Sequence, residues 1–178
     1  NTDGYHHVFT SDNLWRKNRR VFGSDVGVDQ NRNYPFGWNT ACSGSTNPGS
    51  GAFKGPSPAS EAETQTMIAW SQDRRFAKVL DFHSRGRETL WGYDCDTAPI
   101  DALWESEAVE LSQASGYLGD ERRPSADGEH YQCQFATRSA LAFLTETHDQ
   151  FQPSYSSAVA EAETVWPGTL WLLDRAVP

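Results

Sequence analysis

The chain has few cysteines, no long apolar run, and fewer cationic than anionic side chains. Its 178 residues include 3 cysteines, and none are in a CxxC spacing, so nothing supports a structural zinc cluster. No apolar run approaches the roughly 20 residues needed to cross a bilayer. The 15 Lys and Arg against 24 Asp and Glu give a net charge of −9, which opposes phosphate backbones and anionic lipid surfaces. We therefore expect neither a nucleic-acid partner nor a membrane partner.

The odd number of cysteines allows at most one disulfide within the chain. Cys95 and Cys133 could form it, and the third thiol would then be free or bonded outside the chain. The first seven residues also lack the cationic start and apolar stretch of a signal peptide.

The composition that remains is that of a globular protein. Hydrophobic residues make up 37% of the chain and aromatic residues 12%, which is enough for one sizeable core. At this length a single domain covering residues 1–178 is the first expectation.

Apolar periodicity predicts alternating helices and strands. Helical spacing appears over residues 61–73, 100–115 and 156–175, with a capping box from Ser60 to Glu63 and a kink expected at Pro167. Short β-prone runs cover residues 77–82, 88–93 and 140–145. Residues 1–57 and 119–129 are expected to be mostly loop. This alternation predicts an α/β fold, with helices packed on the faces of one sheet.

Four short segments contain polar residues that folding alone does not require. They read NTDGY at residues 1–5, LWRKNR at 14–19, GVDQNRN at 27–33 and FHS at 82–84, and the last predicted strand then ends at Glu146. In order and spacing they resemble the carboxypeptidase A-like zinc metallocarboxypeptidases, which show NPDGY, LWRKNR, GVDxNRN and HS before a strand that ends in the catalytic glutamate. Thr2 stands where that family has proline, a difference expected to affect only the local turn.

The resemblance implies a fold, and it implies which part of that fold this chain forms. The expected fold is a mixed, mostly parallel sheet with helices on both faces, truncated at its N-terminal side. The chain would be the C-terminal part of one catalytic domain that hydrolyses the C-terminal peptide bond of peptides and proteins. The implied partners are peptide or protein C-termini, and the expected location is secreted or periplasmic.

The resemblance also assigns the metal ligand and the base. His83 corresponds to the third zinc ligand, although a histidine alone is more often an ordinary polar residue. Glu146 corresponds to the general base for a water that the Zn2+ activates, whereas a purely structural interpretation would place it in an ion pair at the strand end.

Four further residues match family positions that contact the substrate or the reaction intermediate. Asn31 and Arg32 match the pair that binds the terminal carboxylate, and Arg16 matches the arginine that stabilises the oxyanion. Tyr131 is the best match to the mobile tyrosine that closes over substrate. Arg138 or Arg85 could line the specificity pocket and favour an acidic side chain, or each could be a surface arginine. Asp29 and Asn33 are expected to be structural.

The other two zinc ligands of the family come from an upstream H-x-x-E segment, which this sequence lacks. Its five histidines are followed three positions later by Phe9, Thr10, Gly86, Cys133 and Phe151. A catalytic zinc site normally needs three protein ligands, so we expect the chain alone to be inactive and the natural protein to continue upstream. Two alternatives stay open: a non-catalytic protein that only binds C-termini, and an amidase acting on cell-wall peptides.

Overall fold

The computed structural model describes residues 2–176, and Asn1 of the NTDGY segment lies outside them. The helices are α1 (Thr2–Thr10), α2 (Ala62–Arg74), α3 (Asp101–Ala114), α4 (His130–Arg138) and α5 (Tyr155–Asp174), and a 3-10 turn covers Gln30–Arg32. The strands are β1 (Val21–Phe22), β2 (Asp25–Val26), β3 (Lys78–His83), β4 (Glu88–Leu90), β5 (Glu121–Arg122) and β6 (Leu141–Glu146).

The chain forms two compact units. The first contains residues 1–75 and 125–138, and the second contains residues 76–124 and 139–178. The part of the chain that the structure describes has no helix long and apolar enough to cross a membrane.

The second unit is built on a four-stranded mixed sheet in the order β3-β6-β4-β5. The β3–β6 and β4–β5 pairs are parallel, and the β4–β6 pair is antiparallel. Strand β6 is central and is buried from Leu141 to Thr145, as its continuous apolar run predicts. This confirms the predicted mixed sheet with mostly parallel pairing.

Helices α3 and α5 pack against each other and against this sheet. Trp104 of α3 is fully buried, and its indole Nε1 donates a 2.8 Å hydrogen bond to the carbonyl oxygen of Ala142 on β6. This hydrogen bond offsets the cost of burying the polar N–H group of a large, mostly apolar side chain. Helix α5 runs without a break through Pro167.

The first unit contains more irregular backbone. Its core includes Val28 and Tyr131, which are fully buried, and Phe53, whose ring packs edge to face on Phe22. Helices α2 and α4 are in contact, and Gln134 Nε2 donates a 2.7 Å bond to the hydroxyl of Ser71.

Two local predictions fail. The capping box is wrong, because α2 begins at Ala62 with Glu61 at the N-cap and no side-chain cap bond. The Ser60 hydroxyl instead accepts a bond from Asn33 and donates to Glu61. The suggested Cys95–Cys133 pair is also wrong, because Cys95 is disulfide-bonded whereas Cys133 is a free, buried thiol.

Candidate active site

In the second unit, His83 and Glu146 are the last residues of two adjacent parallel strands. They are register partners in the β3–β6 ladder. Partners in parallel strands project to the same side of a sheet, and the carboxyl ends of such strands are where α/β proteins build sites. Both side chains are half-buried. The structure thus brings the predicted metal ligand and the predicted base side by side.

The chain that follows each strand holds this pair in place. Thr147 donates to the carbonyl oxygen of His83 through both its backbone N and its hydroxyl, each at 2.8 Å. Gly86 N donates a 2.8 Å bond to the carbonyl oxygen of His148. A Cβ at Gly86 would lie 3.0 Å from Cβ of Glu146, so a larger residue would press on the candidate base. Sequence reasoning did not identify Thr147 or Gly86 as supports.

A second carboxylate lies across the sheet from Glu146. Glu88 on β4 is its antiparallel register partner. Facing like charges are unfavourable, but the Glu88 Oε1 accepts a 2.8 Å bond from Arg122 Nε. Arg122 therefore balances the charge of Glu88 beside Glu146.

In the first unit, a buried aspartate links two predicted substrate-binding positions. Asp29 is 3% exposed, and its Oδ2 accepts a 2.7 Å bond from Nη2 of Arg16. Its Oδ1 accepts a 3.2 Å bond from the backbone N of Asn31 and so caps the 3-10 turn. Arg16 and the turn that carries Asn31 and Arg32 are thereby held by one carboxylate.

Asn18 of the LWRKNR segment and Asn33 of the GVDQNRN segment hold these two segments in place. Asn33 is fully buried, and its Nδ2 donates to the carbonyl oxygens of Lys54 and Ser57 and to the Ser60 hydroxyl. The side-chain oxygen of Asn18 accepts a 2.8 Å bond from Val28 N. Asp29 and Asn33 thus have the structural bonds expected of them.

Arg32 is fixed by an acidic residue that no sequence motif identifies. Its Nη1 lies 2.6 Å from Oε1 of Glu129 and 2.7 Å from the carbonyl oxygen of Asn31. The side chain of Arg32 is 14% exposed and that of Glu129 is 5% exposed, so this is a largely buried ion pair. Glu129 falls in a segment predicted only as polar loop.

The remaining candidates lie in ordinary structural positions. Tyr131 is fully buried in α4, and a tyrosine that closes over substrate would have to leave that core, so its burial argues against the mobile role. Arg85 stacks on the ring of Phe151 at 5.1 Å. The side chain of Arg138 donates to the carbonyl oxygen of its neighbour Thr137.

Comparison with known proteins identifies the class of molecule that these segments build. The zinc carboxypeptidase family model matches residues 1–169. The chain belongs to the zinc carboxypeptidase family, as the motif resemblance predicts.

Some relatives in the family are named as carboxypeptidases and others as inactive metallocarboxypeptidases. Zinc carboxypeptidase A 1 of Drosophila melanogaster is 43% identical over 193 residues, covering 99% of this chain and 44% of that protein. Inactive metallocarboxypeptidase ECM14 of Arthroderma benhamiae is 28% identical over 167 residues, covering 89% of this chain and 27% of that protein. The chain therefore spans less than half the length of either relative.

Solved structures agree on the fold. Carboxypeptidase A from Helicoverpa armigera matches with a TM-score of 0.84 and 26% identity, over 96% of this chain and 48% of that one. Bovine thrombin-activatable fibrinolysis inhibitor, solved in complex with tick carboxypeptidase inhibitor, matches with a TM-score of 0.79 over 94% of this chain and 64% of that one. Its identity is 21%, so this likeness concerns the fold alone.

Proposed function

We propose that this chain is the C-terminal part of the catalytic domain of a zinc exopeptidase that hydrolyses the C-terminal peptide bond of peptides and proteins. The observation that carries the proposal is the pairing of His83 with Glu146 at adjacent strand ends, in a chain of the zinc carboxypeptidase family. Peptide and protein C-termini are the proposed partners, and the proposed location is secreted or periplasmic.

The donor set in this chain does not fit a complete zinc site. His83 offers one imidazole, and the sequence contains no H-x-x-E segment to supply two more ligands. A catalytic zinc site normally has three protein ligands, so His83 alone is not expected to hold the metal. Zinc bound by a full ligand set would supply Lewis-acid polarisation of the scissile carbonyl. The roles proposed below concern only residues of this chain.

Glu146 is the proposed general base. Its carboxylate takes a proton from the attacking water and delivers it to the leaving amine. The bonds from Thr147 to the His83 carbonyl fix the ends of both strands, and Gly86 leaves space beside Glu146. These contacts support a base held in one place.

Arg32, Asn31 and Arg16 are the proposed substrate contacts. Among the described residues, every hydrogen bond of the Arg32 guanidinium is made by Nη1, so Nε and Nη2 remain for a bidentate contact with a carboxylate. Arg16 is 53% exposed and held by Asp29, an arrangement suited to a cation that meets developing negative charge.

The test requires a longer protein in which the natural upstream segment precedes this chain. We expect it to hydrolyse peptides with a free C-terminus and to leave their C-terminal amides intact, because Arg32 needs a carboxylate to bind. The variant Glu146→Gln should lose at least about 100-fold in kcat, since it removes the base. The 178-residue chain alone should show no hydrolysis. Equal cleavage of acids and amides would contradict the exopeptidase proposal.

A non-catalytic function is the second candidate, because some relatives are named inactive metallocarboxypeptidases. In that case the longer protein would bind C-terminal acids without hydrolysing them. The same peptide set separates the two functions when binding is measured alongside hydrolysis.

A further inference from the structure

One carboxylate on α5 binds both of the chain segments that leave the strand ends of the candidate site. Glu161 accepts bonds from Arg87 through Nη2 at 2.8 Å and Nε at 3.3 Å, and from the backbone N of His148 at 2.9 Å. Arg87 follows His83 by four positions, and His148 follows Glu146 by two. Glu161 is therefore bonded to the chain beyond the candidate metal ligand and to the chain beyond the candidate base.

Both residues that Glu161 binds have a left-handed backbone. The angle φ is +57° at Arg87 and +60° at His148. A residue other than glycine keeps this conformation only where the surrounding structure holds it. Glu161 is 6% exposed, and hydrogen bonds to a carboxylate are strong where little water competes for it. Its bonds thus act on the two backbone positions that most need support.

Further hydrogen bonds link these two segments to each other and to the end of β3. Gly86 N donates to the carbonyl oxygen of His148, and Thr147 N donates to that of His83, each at 2.8 Å. Nε2 of His148 also lies 2.8 Å from Oγ of Ser157 on α5. A shift of either segment would therefore be passed back to the strand ends.

We infer that Glu161 is a positioning residue that keeps His83 and Glu146 in fixed relative positions. The inference rests on the proposed function of that pair. A displacement of about 1 Å in a reacting group can cost about 100-fold in rate, so both segments must be held closely. Glu161 acts through Arg87 and His148, so its loss should lower kcat. KM should stay nearly unchanged, because the proposed substrate contacts are held by residues of the first unit.

Tyr117 provides a matched control for this role. Its hydroxyl donates a 2.6 Å bond to the same carboxylate of Glu161, from a residue outside both segments. Tyr117→Phe therefore removes one bond to Glu161 and leaves its bonds to the two segments. Arg87→Gln removes the bonds to one segment instead. A purely structural role of Glu161 would make activity follow stability in both variants, whereas a positioning role separates them.

The experiment uses the longer protein in which the natural upstream segment precedes this chain. It compares Glu161→Gln, Arg87→Gln and Tyr117→Phe by kcat and KM on a peptide with a free C-terminus. NMR hydrogen exchange of the Gly86 and Thr147 amides, relative to amides at the centre of β6, gives a readout that needs no turnover. We expect the first two variants to lower kcat about tenfold with KM within about twofold, and to speed the relative exchange about tenfold. Tyr117→Phe should keep the wild-type values of both.

Two results would overturn the inference. One is an unchanged relative exchange of both amides in Glu161→Gln with a native-like melting curve. The other is a loss of kcat in Tyr117→Phe as large as that in Arg87→Gln. If Glu161→Gln does not fold, the comparison of Arg87→Gln with Tyr117→Phe decides alone. A wild-type protein that hydrolyses no peptide would refute the proposed function, and the exchange rates would still decide the positioning role.

Discussion

Asp29 is the residue on which the arrangement of the first unit's candidate site depends most. One of its oxygens receives the Arg16 guanidinium and the other receives the backbone N of Asn31. Because Arg16 is half exposed, the ion pair itself contributes little to stability. The hydrogen bond from the backbone N of Asn31 contributes more to stability, because its loss would leave the start of the 3-10 turn without its cap.

Substitution of Asp29 can separate these two contributions. We expect Asp29→Asn, which keeps an acceptor for Asn31 N, to lower the free energy of unfolding by about 1 kcal/mol, and Asp29→Ala to lower it by about 2 kcal/mol. Urea denaturation measures both. The exposed Asp73→Asn serves as the control and should change stability by less than about 0.5 kcal/mol. Equal losses of unfolding free energy in the two Asp29 variants would show that the bond to Asn31 N is not the main stabilising contribution of Asp29.

At the scale of elements, the LWRKN and GVDQNRN segments form one structure because their backbones pair. Asn18 N donates to the carbonyl oxygen of Val28, and Gly27 N donates to that of Arg20. Gly27 has a φ of +90°, and a Cβ there would lie 2.7 Å from Cβ of Lys17. Lys17 itself is buried and donates to the carbonyl oxygens of Pro48 and Ser50. The glycine of the motif is therefore required by close packing as well as by backbone conformation.

A pair of glycine substitutions isolates the packing contribution. Gly23 also has a positive φ, of +64°, but a Cβ there would meet nothing within 4 Å. We expect Gly23→Ala to cost about 1 kcal/mol from backbone conformation alone, and Gly27→Ala to cost about 3 kcal/mol because Lys17 and Asn18 must also move. Chemical denaturation gives both values. Similar losses of stability for Gly23→Ala and Gly27→Ala would mean that the LWRKN and GVDQNRN segments can move apart without strain.

Sequence reasoning found the long helices and the six-residue strands, and it missed the two nine-residue helices. Strands β3 and β6 and helices α2, α3 and α5 lie within a few residues of their predicted bounds. Helix α4 was missed because two of its buried residues, Gln132 and Gln134, are polar, so their burial is not evident from the sequence. Helix α1 was missed because it begins with the turn formers Asp3 and Gly4, which are typical of a loop. The contact of Glu129 with Arg32 joins residues 97 positions apart, and no local pattern encodes such a contact.

At the scale of the whole molecule, the proposed roles are divided between the two compact units. The unit of residues 76–124 and 139–178 carries the candidate metal ligand and base, and the other carries the candidate substrate contacts. The single domain expected from the sequence stays a prediction.

The second unit contains a buried carboxylate that should make the stability of the protein depend on pH. Glu161 is 6% exposed and accepts bonds from Arg87, from the Tyr117 hydroxyl and from His148 N. Burial alone would raise the pKa of Glu161, but these hydrogen bonds outweigh burial and hold its pKa below the usual value. A carboxyl whose pKa is lowered by folding stabilises the protein above its unfolded pKa of about 4.3. That contribution is lost as the pH falls through the lower folded pKa.

Glu161→Gln should therefore have a pH-dependent effect. We expect a loss of about 2 kcal/mol at pH 7, because the Arg87 ion pair is broken and the amide cannot accept every bond. The difference from wild type should shrink as the pH falls below about 4. Urea unfolding at pH 7, 5 and 3 measures it, with the exposed Glu163→Gln on the same helix as the control. A difference that stays constant with pH would contradict the ionised state assigned to Glu161.

We propose that His83 is one ligand of a zinc site whose other ligands lie outside this sequence, with Glu146 as the base beside it. Zinc content of the purified longer protein, determined by elemental analysis, tests this most directly. We expect about one zinc per molecule in the wild type and in Glu146→Gln, a loss of metal in His83→Ala, and little or no zinc in the 178-residue chain alone. Stoichiometric zinc in the short chain, or full retention of zinc by His83→Ala, would contradict it.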